Sequence, residues 1–248
     1  MKKIISALLV LMLAFCLCAC SSINDRASDE ESESPSQTEE SAPVETPEAT
    51  PEVSVSPSVS ADDEAGLAGT IAGDQYINKA MGFSVTIPEG WMFASDEEIE
   101  ALYGQTKDLL EGTVELPENS QGYLMVCSQY PMGTSGYNPN INMTVTNTTL
   151  TAAMYDAMLE QFQTMYTQMY VEQMGADSVE VTGSPSVTFG GKDYMNFNIV
   201  STFGSDTMYQ TQYMTMTGDY LLTATYTCYD AEELSVMDTF MEGMQYAS

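Results

Sequence analysis

The chain has no histidine anywhere in its 248 residues. That removes the commonest general base and the commonest transition-metal ligand. Basic residues are nearly as scarce: six Lys and Arg stand against thirty-six Asp and Glu, a formal net charge of −30. Such a chain repels phosphate backbones, which excludes nucleic acid as a partner. No Gly-rich phosphate loop, EF-hand loop or C-x-x-C is present. With no histidine to pair with a Ser or Cys nucleophile, no catalytic constellation is expected, and no cofactor or metal is implied. Cysteine is rare too, at five residues, yet three of the five crowd together as Cys16, Cys18 and Cys20.

That crowding reads as an address. Lys2 and Lys3 precede an apolar run from Ile4 to Leu17, the layout of a signal peptide. The run is shorter than the ~20 residues that a spanning helix needs. C-x-C-x-C inside a hydrophobic segment is not a structural-zinc spacing. Instead, Leu17-Cys18-Ala19-Cys20 resembles a bacterial lipobox: an aliphatic residue three before the modified cysteine and a small one directly before it. The resemblance implies cleavage between Ala19 and Cys20, a diacylglyceryl group on the Cys20 sulfur, and attachment to the outer face of a bacterial cell membrane. Two acyl chains meet the requirement for stable anchoring. Residues 1–19 are then a signal peptide. The mature chain keeps Arg26, Lys79, Lys107 and Lys192 against all thirty-six acids, a net charge of −32.

Residues 20–73 hold the lipidated Cys20 and a linker. No aromatic residue occurs between Cys20 and Tyr76, and Ser, Thr, Pro and Glu dominate. Such a segment cannot bury enough apolar surface to offset chain entropy. It is expected to be a disordered, self-repelling acidic tether that holds the rest of the chain off the membrane.

Residues 74–248 read as one globular domain. Tyr76–Asn78 and Gly82–Ile87 are short strands. Ser95-Asp96-Glu97-Glu98 is a capping box, predicting a helix from Asp96 to about Leu110. Gly122–Tyr130 is a strand. Ile141, Met143 and Val145 alternate with Asn140, Asn142 and Thr144, the pattern of a half-buried strand. A helix is predicted from Thr151 to Met174, with Met154, Met158, Met165 and Met169 near helical period and Gly175 as its C-cap. Four strands then follow at hairpin spacing, separated by Gly190-Gly191, Gly204-Ser205 and Gly218-Asp219. In the last of them Leu222, Ala224, Tyr226 and Cys228 oppose Thr223, Thr225 and Thr227. Asp230-Ala231-Glu232-Glu233 caps a final helix to about Met244. The fold class is α+β: an antiparallel β-sheet flanked by helices, in the order β-β-α-β-β-α-β-β-β-β-α.

Particular residues carry a resemblance. Tyr76-x-Asn78-x-x-x-Gly82-Phe83-x-x-x-Ile87-Pro88-x-Gly90-Trp91, the strand Asn140-Ile141-Asn142-Met143-Thr144-Val145, and Gly190-Gly191 before Tyr194 together resemble the PsbP/Mog1-like superfamily, which is found in many bacterial surface lipoproteins. The resemblance implies an α/β/α sandwich and an accessory binding role. It carries over no functional residue, because no ligand motif of the family matches.

Candidate chemistry remains on four features. Cys127 and Cys228 are the other two cysteines of the mature chain, and they read either as a disulfide or as two buried thiols. Seventeen methionines follow residue 80; thioethers select Cu(I), but their positions on apolar parities read as core. Tyr194, Asn196, Asn198, Tyr209 and Tyr213 share one parity of neighbouring strands. They form a candidate face for a protein, peptide or glycan ligand, unless a helix covers them. Asn142-Met143-Thr144 and Asn147-Thr148-Thr149 match the glycosylation sequon but read as strand and turn. The expected function is a membrane-anchored, extracytoplasmic, non-enzymatic binding domain. The alternatives are an envelope enzyme using clustered carboxylates and a passive assembly subunit.

Overall fold

The computed structural model describes residues 67, 69–101, 121–134, 136–147, 155–218 and 220–247. The signal peptide, Cys20 and nearly all of the linker lie outside these residues, as do the expected end of the first helix and the start of the second.

Eleven strands are described, in two sheets. The larger has seven strands in the order β4-β5-β6-β10-β9-β8-β7: β4 is Met92–Phe93, β5 Gln121–Ser128, β6 Asn140–Asn147, β7 Ser178–Phe189, β8 Lys192–Phe203, β9 Asp206–Thr217 and β10 Tyr220–Cys228. Every pairing is antiparallel. The run β7 to β10 is a meander folded at the three glycine turns that its spacing predicts. At the first turn Gly190 has φ +57°, and a Cβ there would lie 2.8 Å from the Met244 carbonyl oxygen. Glycine is required at that turn both for its left-handed backbone and for the close approach of the C-terminal segment.

The first two predicted strands do not join this sheet, which corrects the expectation of a single one. They form a second sheet, β1-β2-β3-β11, from Thr70–Ala72, Gln75–Asn78, Phe83–Thr86 and Gln245–Tyr246. β1 precedes the expected domain boundary, and β11 follows the last helix. Two-residue strands such as β11 show no period-2 pattern, so only the pairing of Tyr246 with Phe83 reveals it.

The helices start where their caps stand. The helix at 96–101, α1, opens with reciprocal bonds: the Ser95 amide donates to a Glu98 carboxylate oxygen (2.7 Å), and the Glu98 amide donates to Ser95 Oγ (3.3 Å). The Asp230 side chain accepts from the Glu232 amide at 2.9 Å. That cap opens a 3₁₀ turn, Ala231–Leu234, before the helix α3, Ser235–Glu242. Between β6 and β7, helix α2 spans Tyr155–Tyr166 and continues as a π-helix over Thr167–Gln173, where a uniform α-helix was expected. Its signature is the Met174 amide bonding the Met169 carbonyl, five residues back, at 3.1 Å. Gly175, at φ +74°, ends it.

Each face of the large sheet has its own core. On one, α2 and the π-helix press Phe162, Met165, Tyr166 and Met169 onto Met195, Phe197, Met208 and Met214. On the other, the small sheet and α3 press Phe83, Val85, Met237 and Phe240 onto Ile141, Met143, Ala224 and Tyr226. Trp91 packs near Tyr226, with ring centroids 6.1 Å apart. Burying each such side chain contributes about 1.5–3 kcal/mol. Met214 and Met216 belong to the first core, so the structure places them as packing residues.

Candidate functional site: a buried polar floor beside an edge cleft

β6, β10 and β9 lie side by side, and their register sets polar residues in rows. Asn142 pairs with Thr225, which pairs with Gln212; Asn140 pairs with Thr227, which pairs with Gln210; Thr144 pairs with Thr223. Directly paired residues share a face, and side chains repeat on that face every second position. Asn140, Asn142, Thr144 and Thr146 therefore lie beside Thr223, Thr225 and Thr227 and beside Gln210 and Gln212. None of these nine is charged.

This floor is closed to water. Asn142, Thr144, Gln212, Thr223 and Thr225 are each 0% exposed. Alternation of polar and apolar residues led to the expectation of a strand with one solvated face; the structure buries both faces. Asn142, the acceptor of one sequon, is therefore sealed inside the fold.

One side of the floor is satisfied. Gln212 Nε2 donates to the Tyr166 hydroxyl at 2.9 Å, the Tyr170 hydroxyl donates to Gln210 Oε1 at 3.0 Å, and Gln210 Nε2 donates to Thr227 Oγ1 at 3.0 Å. The π-helix keeps Tyr166 and Tyr170 stacked, with centroids 5.8 Å apart, so that both hydroxyls reach β9. The other side is not satisfied. Asn140 Oδ1, both polar atoms of the Asn142 amide, Gln212 Oε1 and the hydroxyls of Thr144, Thr146, Thr223 and Thr225 have no hydrogen-bond partner. These are eight of the ten such atoms among the described residues, so the deficit is concentrated here. A buried, unpaired neutral polar group costs about 1–3 kcal/mol, so a cluster of them is expensive unless a partner comes from outside the chain.

A cleft of about 620 Å³ runs along the sheet edge next to this floor. Phe93, Ile99, Tyr123, Val126 and Tyr76 line it, with Asp96 and Glu100 of α1 among its walls. Val126 pairs directly with Asn142, and Tyr123 with Thr144, so the β6 members of the floor are one strand from the cleft, Thr223 and Thr225 two, and Gln212 three. Mostly apolar walls with a few convergent polar groups are the usual make-up of a small-molecule site.

The face expected to bind ligand is on the opposite side of the sheet and is largely core. Tyr194, Asn196 and Tyr213 are buried. The Tyr194 hydroxyl bonds that of Tyr246, and the Tyr213 hydroxyl donates to Asp238 Oδ1 at 2.8 Å. Burial first, then the adjoining Asp238, pushes the Tyr213 hydroxyl above its ordinary range. Asn198 donates to Asn196 Oδ1 at 2.8 Å and accepts from Thr211 at 3.1 Å. Tyr209 packs, partly buried, on the core. α3 and β11 cover this face because their Met237, Phe240, Met241 and Tyr246 need an apolar partner.

The two cysteines are free thiols, not a disulfide. Cys127 is on β5 and Cys228 on β10, with β6 between them. Two strand spacings separate them by roughly 10 Å, beyond the reach of a disulfide. Burial pushes the Cys228 thiol up to about 12 and the Cys127 thiol higher still.

Among the described residues, no group of three or more Asp, Glu or Cys is placed to hold a metal ion. Glu233 has its carboxyl raised by partial burial and then by neighbouring Asp230, whose own side chain is engaged in capping. No helix among the described residues is long and apolar enough to cross a membrane.

No protein-family model matches the chain, and no curated protein resembles it at a significant level. Among solved structures, the chain is similar to cyanobacterial PsbP from Synechocystis (TM-score 0.43, 12% identity, covering 72% of this chain and 98% of that one). It is also similar to LpqN, involved in cell envelope biogenesis of Mycobacterium tuberculosis (TM-score 0.37, 13% identity, 67% and 83% covered). A third is the Ran-binding protein Mog1p of Saccharomyces cerevisiae (TM-score 0.38, 9% identity, 66% and 90% covered). These are loose likenesses in fold; envelope biogenesis and Ran binding are properties of those proteins.

Proposed function

We propose that this chain is a lipid-anchored, extracytoplasmic binding protein, and that its domain is an accessory module without catalytic activity. The observation that carries the binding role is the floor on β6, β10 and β9. Eight buried polar atoms there have no partner, and those on β6 are one strand from a largely apolar cleft. Such a face is costly to stability and is accounted for by a ligand that completes its hydrogen bonds. The floor's neutral amides and hydroxyls supply no general base or nucleophile activated by one, which favours binding over turnover.

The anchor rests on Leu17-Cys18-Ala19-Cys20, and the acidic tether places the domain away from the membrane. The test is fractionation of cells expressing the full chain or its Cys20→Ala variant. The native chain stays with membranes, and Cys20→Ala appears in the soluble fraction. Retention of the variant on membranes overturns the anchor. For the binding role, the test is capture of cell-surface components by the native chain against a Thr225→Val, Asn142→Leu variant. Capture that is identical for the two removes the floor from the binding reading.

A further inference from the structure

From the geometry of the cleft we infer that the β5 edge of the large sheet takes up an extended basic peptide as an added strand, with Lys or Arg at every second position. This surface is separate from the polar floor, and no group of the floor has to reach it.

The cleft is built on a strand edge. Five consecutive residues of β5, Gly122 to Val126, line it. Side chains of a strand alternate between two faces, so consecutive lining residues mean that the backbone edge itself forms the wall. β4 explains why that edge is open. It pairs with β5 only at Ser128 and Cys127, and the Ala94 amide adds one bond to the Val126 carbonyl at 2.8 Å. The Ser95 cap then turns the chain into α1. Among the described residues, no strand continues β4 alongside Gly122, Leu124 and Met125. The open stretch is about 17 Å long at ~3.4 Å per residue, room for a short extended segment.

The two flanks of this edge differ. On the floor side of the sheet, Ala94, Ile99, Tyr123 and Val126 pack together. There α1 presents Asp96, Ile99 and Glu100, spaced as one helical face, to the cleft. On the opposite side, Phe93, Leu124, Met125 and Tyr76 belong to the core under the small sheet. Ile71, the cross-strand partner of Tyr76, lines the cleft there and is 53% exposed. An added strand therefore meets carboxylates on one face and apolar surface on the other. Its own side chains alternate with the same period, so basic residues at one parity and apolar residues at the other fit both flanks. Main-chain bonds to β5 supply affinity, and the alternate side chains supply specificity.

Charge selects the partner. No Lys or Arg is among the described residues that line the cleft, so Asp96 and Glu100 face it without a cation. The net charge of −30 attracts a basic peptide and repels an acidic one. It also disfavours a second copy of the chain, which would bring the same charge and its own Asp96 and Glu100 to the edge.

The experiment is fluorescence anisotropy on the full chain in detergent with labelled Lys-Val-Lys-Val-Lys-Val. The comparison peptides are Glu-Val-Glu-Val-Glu-Val and two analogues of the lysine peptide, one N-methylated at every valine and one at every lysine. Backbone groups of alternate residues point to opposite edges of a strand, so only one analogue loses its bonds to β5. Saturable binding of the lysine peptide is expected. One analogue should bind about tenfold or more weakly while the other stays near the parent, and the glutamate peptide should not bind. Asp96→Asn with Glu100→Gln, both exposed, should weaken binding about fivefold and flatten its salt dependence. Equal affinity of the two analogues, whether strong or weak, overturns strand addition. Equal binding of the glutamate peptide, or no effect of Asp96→Asn with Glu100→Gln, overturns the basic specificity. Binding of no peptide overturns the proposal, and dimers trapped by cross-linking would then assign the edge to a second copy. None of these outcomes bears on the capture comparison for the floor.

Discussion

Replacing Thr223 and Thr225 by valine should make this domain more stable. Both hydroxyls are fully buried and unpartnered. Valine has the same branched shape, so the change opens no cavity and keeps the same strand preference. What it removes is the unpaired hydroxyl, worth about 1–3 kcal/mol of desolvation at each position. The two sites are neighbours on one strand and are not fully additive. The double variant should therefore gain about 2–4 kcal/mol, which for a domain of this size raises the melting temperature by roughly 5–10 °C. Thr227→Val supplies the opposite sign on the same strand and face. Its hydroxyl accepts from Gln210 Nε2 at 3.0 Å, so valine there strands a buried amide and should cost about 1–3 kcal/mol. Urea denaturation of the three chains, with the slope compared as well as the midpoint, measures all of this. If the double variant instead loses about 1 kcal/mol or more, the two hydroxyls are already partnered structural groups. The reading of the floor as a site awaiting a ligand then fails.

Two further outcomes follow from the same geometry. Gly190→Ala should destabilise by about 2–3 kcal/mol, since it meets both a left-handed backbone and the Met244 carbonyl, whereas Gly191→Ala, with open space around it, should lose only about 1–2 kcal/mol; equal losses would remove the role of the C-terminal contact. Because Cys127 and Cys228 are buried with thiol pKa values far above 8, Ellman's reagent at pH 8 should reach them only after unfolding, and reductant should leave the melting temperature unchanged; a Cys127–Cys228 linked peptide in a non-reducing digest would refute this.

Much of the architecture follows from local signals that act without the rest of the chain. The capping box at Ser95 and Glu98, the Asp230 cap and the three glycine turns of the β7–β10 meander are made by residues close in sequence. Their chemistry is complete within a few positions, so the sequence by itself determined them. It also determined which residues of β6 and of β10 share a face, because the pleat repeats every two residues.

What covers each face is a different matter. A period of two says which residues share a side, and nothing about what lies over that side. Asn140, Asn142 and Thr144 looked like a solvated stripe and became a sealed floor. Tyr194 and Tyr213 looked like a ligand face and became core, because α3 and β11 return from the far end of the chain to cover them. The separation of β2 and β3 into their own sheet depends on pairing with β1 and β11, and short strands carry no signal of their own. The placing of β6 between β5 and β10, which keeps Cys127 and Cys228 apart, is equally a matter of which strands pair. The chain decided its turns, caps and parities locally. The candidate site exists only because long-range pairing set three polar half-strands side by side and then took them out of water.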